Sequence, residues 1–215
     1  MAGSVGPATA SAPTPLIGVL AIQGDFEAHA AALERLGARA AEVRRPADLQ
    51  DLDGLVIPGG ESTTINMGLE AYGFEQPIRD FVAARRRPVF GTCAGLIMLD
   101  RAHLGLMDIE ARRNAFGRQV RSFEQDVIVR GLGDEPLRAV FIRAPWIEEA
   151  GDGVEVLAEV DGHPVVARQD HMLVAAFHPE LTDDLRLHAL FLGLLSRESP
   201  GGQEDRPPVQ RSSGA

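Results

Sequence analysis

"PVFGTCAGLIML" occupies residues 88–99 and contains Cys93, the only cysteine among 215 residues. A short apolar run at 88–90 leads into Gly91-Thr92-Cys93-Ala94-Gly95, and an apolar helix-like run follows at 94–99. This is the spacing of a nucleophile elbow, G-x-S-x-G, with cysteine in the serine position. Such an elbow is a strained strand-to-helix turn that lifts the nucleophile over the end of a sheet. Glycines flank it because a side chain there would strike neighbouring backbone. The start of a helix favours a thiolate, and the Ala94 N–H is placed to help hold an oxyanion. The competing reading is a small buried hydrophobe, since free cysteine is among the most buried residue types.

The chain on either side of the elbow reads as strands alternating with helices. Residues 16–21 (LIGVLA), 38–43, 54–57 (GLVI) and 88–90 read as buried strands. Residues 26–36, ending at Gly37, and 62–71, 77–86 and 94–99 read as helices. The second half is β-rich, with strands expected at 127–129, 139–142, 154–160, 164–168 and 173–177 and a closing helix at 185–195. The expected fold is α/β: a three-layer open sheet, mostly parallel, with added antiparallel strands in the second half. One domain is expected over 16–197, between a disordered leader (1–15) and a disordered tail (198–215), both small-residue and Pro-rich. Ligands of open α/β sheets bind at the carboxyl ends of strands. Gln23-Gly24, Gly59-Gly60-Glu61-Ser62 and Thr92-Cys93-Ala94-Gly95 fall at such ends.

Composition narrows the function. A net charge of −10 argues against a nucleic-acid surface. No apolar run approaches the roughly 18 residues of a membrane span. The N-terminus lacks a basic segment and an apolar core, so it does not read as a secretory signal, and a lone cysteine implies no oxidising compartment. A cytoplasmic protein is expected. Arg85-Arg86-Arg87 reads as a solvated helix end. All 21 basic residues are arginine. Without lysine the chain can form neither a lysine Schiff base nor a P-loop.

A cysteine nucleophile needs a base, and the base an orienting group. His178, in "FHPEL" (177–181), follows an apolar run and so sits at a strand end. Pro179 biases it toward extended backbone, in which residues i and i+2 point the same way. Glu180 would then lie beside the imidazole. The alternative is a surface His-Pro-Glu turn. His29, His103, His163 and His188 read as structural, and His171 has no evident partner. No spacing suggests a metal set, and no resident cofactor is expected. Gly59-Gly60-Glu61-Ser62 reads as a turn with Ser62 capping the next helix, and also as a loop whose Gly60 N–H is a second oxyanion donor.

Cys93 in GTCAGL with His178 and Glu180 in HPE resembles the class I, triad-type glutamine amidotransferases. "LAIQGDFEAH" (20–29), "PGGESTT" (58–64), "RNAFGRQVRSFE" (113–124) and "VFIRAP" (140–145) extend the likeness to the glutaminase subunits of pyridoxal 5'-phosphate synthases. The resemblance covers about residues 16–196. It implies hydrolysis of L-glutamine by Cys93, with His178 as base and acid, Glu180 orienting it, and Gly60 and Ala94 forming the oxyanion hole. It also implies a glutamine site lined by Gly60, Glu61, Ser62, Arg113, Ile142 and Arg143, the arginines suiting a carboxylate. The partner it implies is a lysine-bearing (β/α)8 synthase subunit that receives ammonia directly. Gln23 is the candidate for coupling docking to the oxyanion loop. The alternatives are a glutaminase for another synthase, such as imidazole-glycerol-phosphate synthase, a stand-alone γ-glutamyl hydrolase, and a catalytically dead binding subunit. The chain departs from the family in two places. The segment from Leu99 to Arg113 is shorter, and Trp146 stands where a histidine often follows the Ala-Pro pair.

Overall fold

The computed structural model describes residues 13–116 and 122–195. Most of the expected leader, all of the expected tail and residues 117–121 of the RNAFGRQVRSFE stretch lie outside them. In chain order the elements are β1 (Leu16–Leu20), α1 (Phe26–Arg35), β2 (Arg39–Val43), β3 (Gly54–Ile57), α2 (Ser62–Ala71), α3 (Glu75–Arg85), β4 (Val89–Thr92) and α4 (Ala94–Leu99). Then follow β5 (Ile109–Arg112), β6 (Ser122–Val127), β7 (Leu137–Ile142), β8 (Trp146–Ala150), β9 (Glu155–Val160), β10 (His163–Gln169), β11 (Met172–Ala175) and α5 (Arg186–Leu195).

The main sheet has the order β2-β1-β3-β4-β11-β10-β9. Its first five strands are mutually parallel; β10 then pairs antiparallel with β11, and β9 pairs antiparallel with β10 at the edge. The central strands β3, β4 and β11 are buried at every position, as strands covered on both faces must be. Consecutive residues of β4 show the two covers. Phe90 stacks on Phe191 of α5 at 5.7 Å and meets the rings of His29 on α1 and His188 on α5. A Cβ on the next residue, Gly91, would come within 2.5 Å of the Gly95 carbonyl oxygen in α4. Adjacent strand residues point to opposite faces, so α1 and α5 lie on one side of the sheet and α4 on the other. The structure therefore has the expected three layers.

Several local expectations are corrected. The strand expected at 127–129 runs over Ser122–Val127 and pairs antiparallel with β7, outside the main sheet. β5 and β8 were not expected. They form a second antiparallel pair, and their IEAR and WIEEA sequences lack a continuous apolar signal. Helix α3 starts at Glu75, not at Pro77; proline is tolerated in a first helical turn. Its N-cap, Phe74, is fully buried and anchors the entry. The arginine cluster is not merely solvated. Arg86 donates to His171 at 2.8 Å, which gives His171 a partner, and Arg87 donates to the carbonyls of Leu49 and Gln50.

The short segment after α4 closes as a packed turn. Asp100 Oδ1 accepts from the N–H groups of Ala102 (2.9 Å) and His103 (3.1 Å) and meets His103 Nδ1 at 2.7 Å. The N–H groups of Leu106 and Met107 both return to the Leu99 carbonyl. Leu104 and Met107 are buried, so the segment is part of the core's cover.

Phe90 is fully buried where β4 meets α1 and α5. Truncation there leaves a cavity that the sheet cannot collapse into. Phe90→Ala is expected to cost about 3–5 kcal/mol, read from the urea midpoint at unchanged slope.

Candidate active site

The site forms where β1, β3, β4 and β11 end. Cys93, directly after β4, has φ 47° and ψ −106°. A positive φ on a non-glycine residue costs of order 1–3 kcal/mol and persists only where the surroundings enforce it. Here the Cys93 N–H donates to the Ala175 carbonyl of β11 at 2.8 Å. Gly91 and Gly95 give the turn room. A Cβ on Gly95 would lie 2.0 Å from the Ile57 carbonyl oxygen. The turn points the thiol into the pocket, where Sγ lies 3.9 Å from the Ile142 carbonyl oxygen. Cys93 is buried, as the reading of a small buried hydrophobe requires, and it also lines the pocket.

His178 follows β11, and its N–H donates to the Val140 carbonyl at 2.9 Å. Its Nδ1 meets Glu180 Oε1 at 2.7 Å. The expected neighbour is present, but by a different geometry. Pro179–Leu181 form one turn of 3-10 helix, so the pairing comes from that turn and not from extended backbone. Glu180 has a side chain only 1% exposed, which excludes a solvated surface turn. Burial works against charge on His178, but hydrogen bonds to Cys93 and Glu180, with the attraction of both, raise its pKa to about 10. Burial likewise opposes charge on Glu180, and the hydrogen bond from His178 with the proximity of His29 outweighs it, holding the carboxyl well below the usual range.

The loop after β3 closes over this pair. A Cβ on Gly59 would come within 2.4 Å of His178 Cε1, so only glycine fits. The Gly59 N–H donates to Thr92 Oγ1 at 3.1 Å. Gly60 has φ 155°, which side-chain-bearing residues rarely adopt. The Glu61 N–H donates to Gln23 Oε1 at 3.0 Å, tying the end of β1 to this loop. The helix cap is Glu61 and not Ser62: its carboxylate accepts from the N–H groups of Thr63 (3.0 Å) and Thr64 (2.8 Å). Those bonds lower its pKa to about 2. Ser62 is the first helical residue and is buried. Arg113 reaches Glu61 Oε1 at 3.4 Å and Thr63 Oγ1 at 3.2 Å.

These groups enclose a cavity of about 270 Å³. Gln23, Gly60, Glu61, Ser62, Cys93, Ala94, Arg113, Ile142, Arg143 and His178 all line it; Glu180 stands behind His178. Ile97, Asn114 and Pro145 complete the wall. Trp146 does not line it. Its ring stacks on His163 at 3.5 Å. Among the described residues, no cluster of three or more His, Cys, Asp or Glu is placed to hold a metal ion. No helix among them is long and apolar enough to cross a membrane.

The sequence did not single out three residues that lie behind the His178–Glu180 pair. His29, His188 and Thr92 are fully buried. His29 Nε2 lies 3.2 Å from Thr92 Oγ1 and 3.2 Å from Glu180 Oε2, and its Nδ1 lies 3.0 Å from His188 Nε2. The legible signal was position: His29 shares the buried face of α1 with Ala32 and Leu33, and a histidine on an apolar face must find polar partners.

An elbow cysteine at the end of β4, backed by a buried His–Glu pair, is the architecture of the class I glutamine amidotransferases. The chain belongs to the SNO glutamine amidotransferase family, whose profile matches residues 19–196. It is 52% identical over 193 residues to pyridoxal 5'-phosphate synthase subunit PdxT of Parafrankia sp. (strain EAN1pec), covering 86% of this chain and 95% of the relative. It is 53% identical over 186 residues to the PdxT of Niallia circulans, covering 83% and 97%. A crystal structure described as a glutamine amidotransferase superposes with a TM-score of 0.78 at 48% identity, over 83% of this chain and 98% of the other. PurLQS from Thermotoga maritima shares the fold at 18% identity, with a TM-score of 0.68 over 85% of this chain and all of the other.

If Glu180 holds the imidazolium, Glu180→Gln removes a charge that raises the His178 pKa. The ring titration, followed by ¹⁵N NMR, is expected to fall from about 10 by about one unit or more. An unchanged midpoint would show that the carboxylate does not support the ring.

Proposed function

We propose that the chain hydrolyses L-glutamine to L-glutamate and ammonia and delivers the ammonia to the synthase subunit of a pyridoxal 5'-phosphate synthase. The observation that carries this reading is Cys93 on a strained elbow, beside a His178–Glu180 pair, in an arginine-lined cavity of amino-acid size. Family membership and the names of the relatives support the substrate and the pathway.

Cys93 attacks the side-chain amide carbon of glutamine. His178 takes the thiol proton, which the thiolate and Glu180 beside the ring favour in the resting site, and after the attack the imidazolium passes it to the leaving ammonia. A γ-glutamyl thioester remains. His178 then activates a water that hydrolyses it, while Glu180 fixes the ring's orientation through Nδ1. The N–H groups of Ala94 and Gly60 hold the oxyanion in both steps. Arg113 and Arg143 face the α-carboxylate, Glu61 the α-ammonium, and Ser62 and Ile142 complete the substrate wall.

The chain contains no lysine, so imine chemistry on a sugar phosphate belongs to another polypeptide. That polypeptide is the lysine-bearing (β/α)8 subunit, and both work in the cytoplasm. Ammonia released into water would be protonated and lost as a nucleophile, which favours direct transfer between subunits. Gln23 couples docking to the oxyanion loop; the hydrogen bond that its Oε1 accepts from the Glu61 N–H supports this role.

Glutamate release from glutamine, measured for the chain alone and with the synthase subunit, tests the reading. Weak activity alone that rises with the partner, and a loss of about 10³-fold or more in Cys93→Ser, are expected. Full activity without a partner would point to a stand-alone hydrolase. Silence in a verified complex would mean a binding subunit. For Gln23→Ala, loss of one hydrogen bond worth about 0.5–1.5 kcal/mol is expected to lower partner-stimulated activity about two- to twelvefold. If both partner binding and stimulation stay unchanged, the coupling role fails.

A further inference from the structure

Two buried side-chain atoms among the described residues lack an aligned hydrogen bond: Glu180 Oε2 and His188 Nδ1. Both belong to the same chain of groups, and His29 stands between them. Its Nε2 is 3.2 Å from Glu180 Oε2 and 3.2 Å from Thr92 Oγ1, with the hydrogen bond aligned on Thr92 and the carboxylate oxygen off its axis. A bare nitrogen lone pair facing a carboxylate oxygen at that distance would repel it, so Nε2 carries a proton. Nδ1 then accepts from His188 Nε2–H at 3.0 Å. This leaves the His188 Nδ1 lone pair without a donor, which costs less than an unpaired N–H in the same place. Burial, with His29 beside it, lowers the His188 pKa to about 3 and keeps that ring neutral.

Thr92 Oγ1 is also the acceptor for the Gly59 N–H, at 3.1 Å. One imidazole therefore touches two parts of the site that are far apart in sequence. We propose that His29 is a positioning residue whose Nε2–H ties the carboxylate behind His178, through Thr92, to the loop that carries the Gly60 oxyanion donor. His188 sets the tautomer that makes this possible. The inference rests on the glutaminase reading of Cys93, His178 and Glu180.

The ionisable groups facing Glu180 are His178 and His29, and His29 in turn faces His188. Two polar substitutions separate positioning from packing. His29→Gln places an amide near Nε2 and keeps the donor toward Glu180 and Thr92. His29→Asn places it near Nδ1, keeping a partner for His188 and losing that donor. In the complex with the synthase subunit, His29→Asn is expected to lower kcat about 10²-fold with KM within about threefold of wild type. His29→Gln is expected to stay within about fivefold in kcat. A second readout needs neither glutamine nor partner: the ¹³C titration of the Glu180 carboxyl in the chain alone. Its midpoint is expected to rise by about one unit or more in His29→Asn and to stay low in His29→Gln. If wild type releases no glutamate, the glutaminase reading fails while this titration still decides the role of His29. Equal behaviour of the two variants in both readouts would overturn the proposal. Should His29→Asn not fold, Thr92→Val removes the acceptor shared with Gly59 and is expected to cost about tenfold in kcat; an unchanged kcat would break the proposed link.

Discussion

The backbone at Cys93 governs the rest of the site. A φ of 47° at a side-chain-bearing residue is costly, and it is held by a hydrogen bond to Ala175 on the adjacent strand. That bond requires β11 to lie parallel to β4 and in register with it. The same pairing brings the end of β11, and hence His178, beside the cysteine. The strain at the elbow and the placement of His178 thus come from one strand pairing. Gly91 and Gly95 are part of this constraint, because a methyl on either would meet backbone at 2.5 Å or less.

The second organising fact is a charge in a dry place. Glu180 is buried, and a buried carboxylate is tolerated only where donors surround it. His178 approaches one oxygen and His29 the other. Helices α1 and α5, which serve elsewhere as ordinary apolar cover, each give up one buried position to a histidine for this purpose. The core beneath Cys93, His178 and Glu180 is therefore partly polar, and its polar groups run from α1 and α5 through Thr92 to the glycine loop.

Much of the fold was legible because its signals are local. Strands buried on both faces show as continuous apolar runs, and β3, β4 and β11 were found that way. β5 and β8 escaped because short strands rich in glutamate and arginine look like loops until a partner strand is supplied. The pairing of His178 with Glu180 was legible, but the backbone assigned to it was not. A proline after histidine suits an extended segment and a helical turn's first position alike, and the tertiary setting selected the 3-10 turn. Glu61 displaced Ser62 as the cap for a similar reason: both side chains can cap a helix, and the chain's approach to α2 decided between them.

By itself the sequence singled out Cys93 as the candidate nucleophile, with His178 and Glu180 as its candidate partners, and it contains no lysine. These follow from residue types and from spacings of a few residues. Tertiary structure alone decided what lies behind and around that atom. His29, Thr92, Glu180 and His188 are separated by up to 159 positions, and no local pattern encodes their contact. They meet because β4 packs its two faces against different helices, and because a buried charge forces the nearest elements to supply its partners.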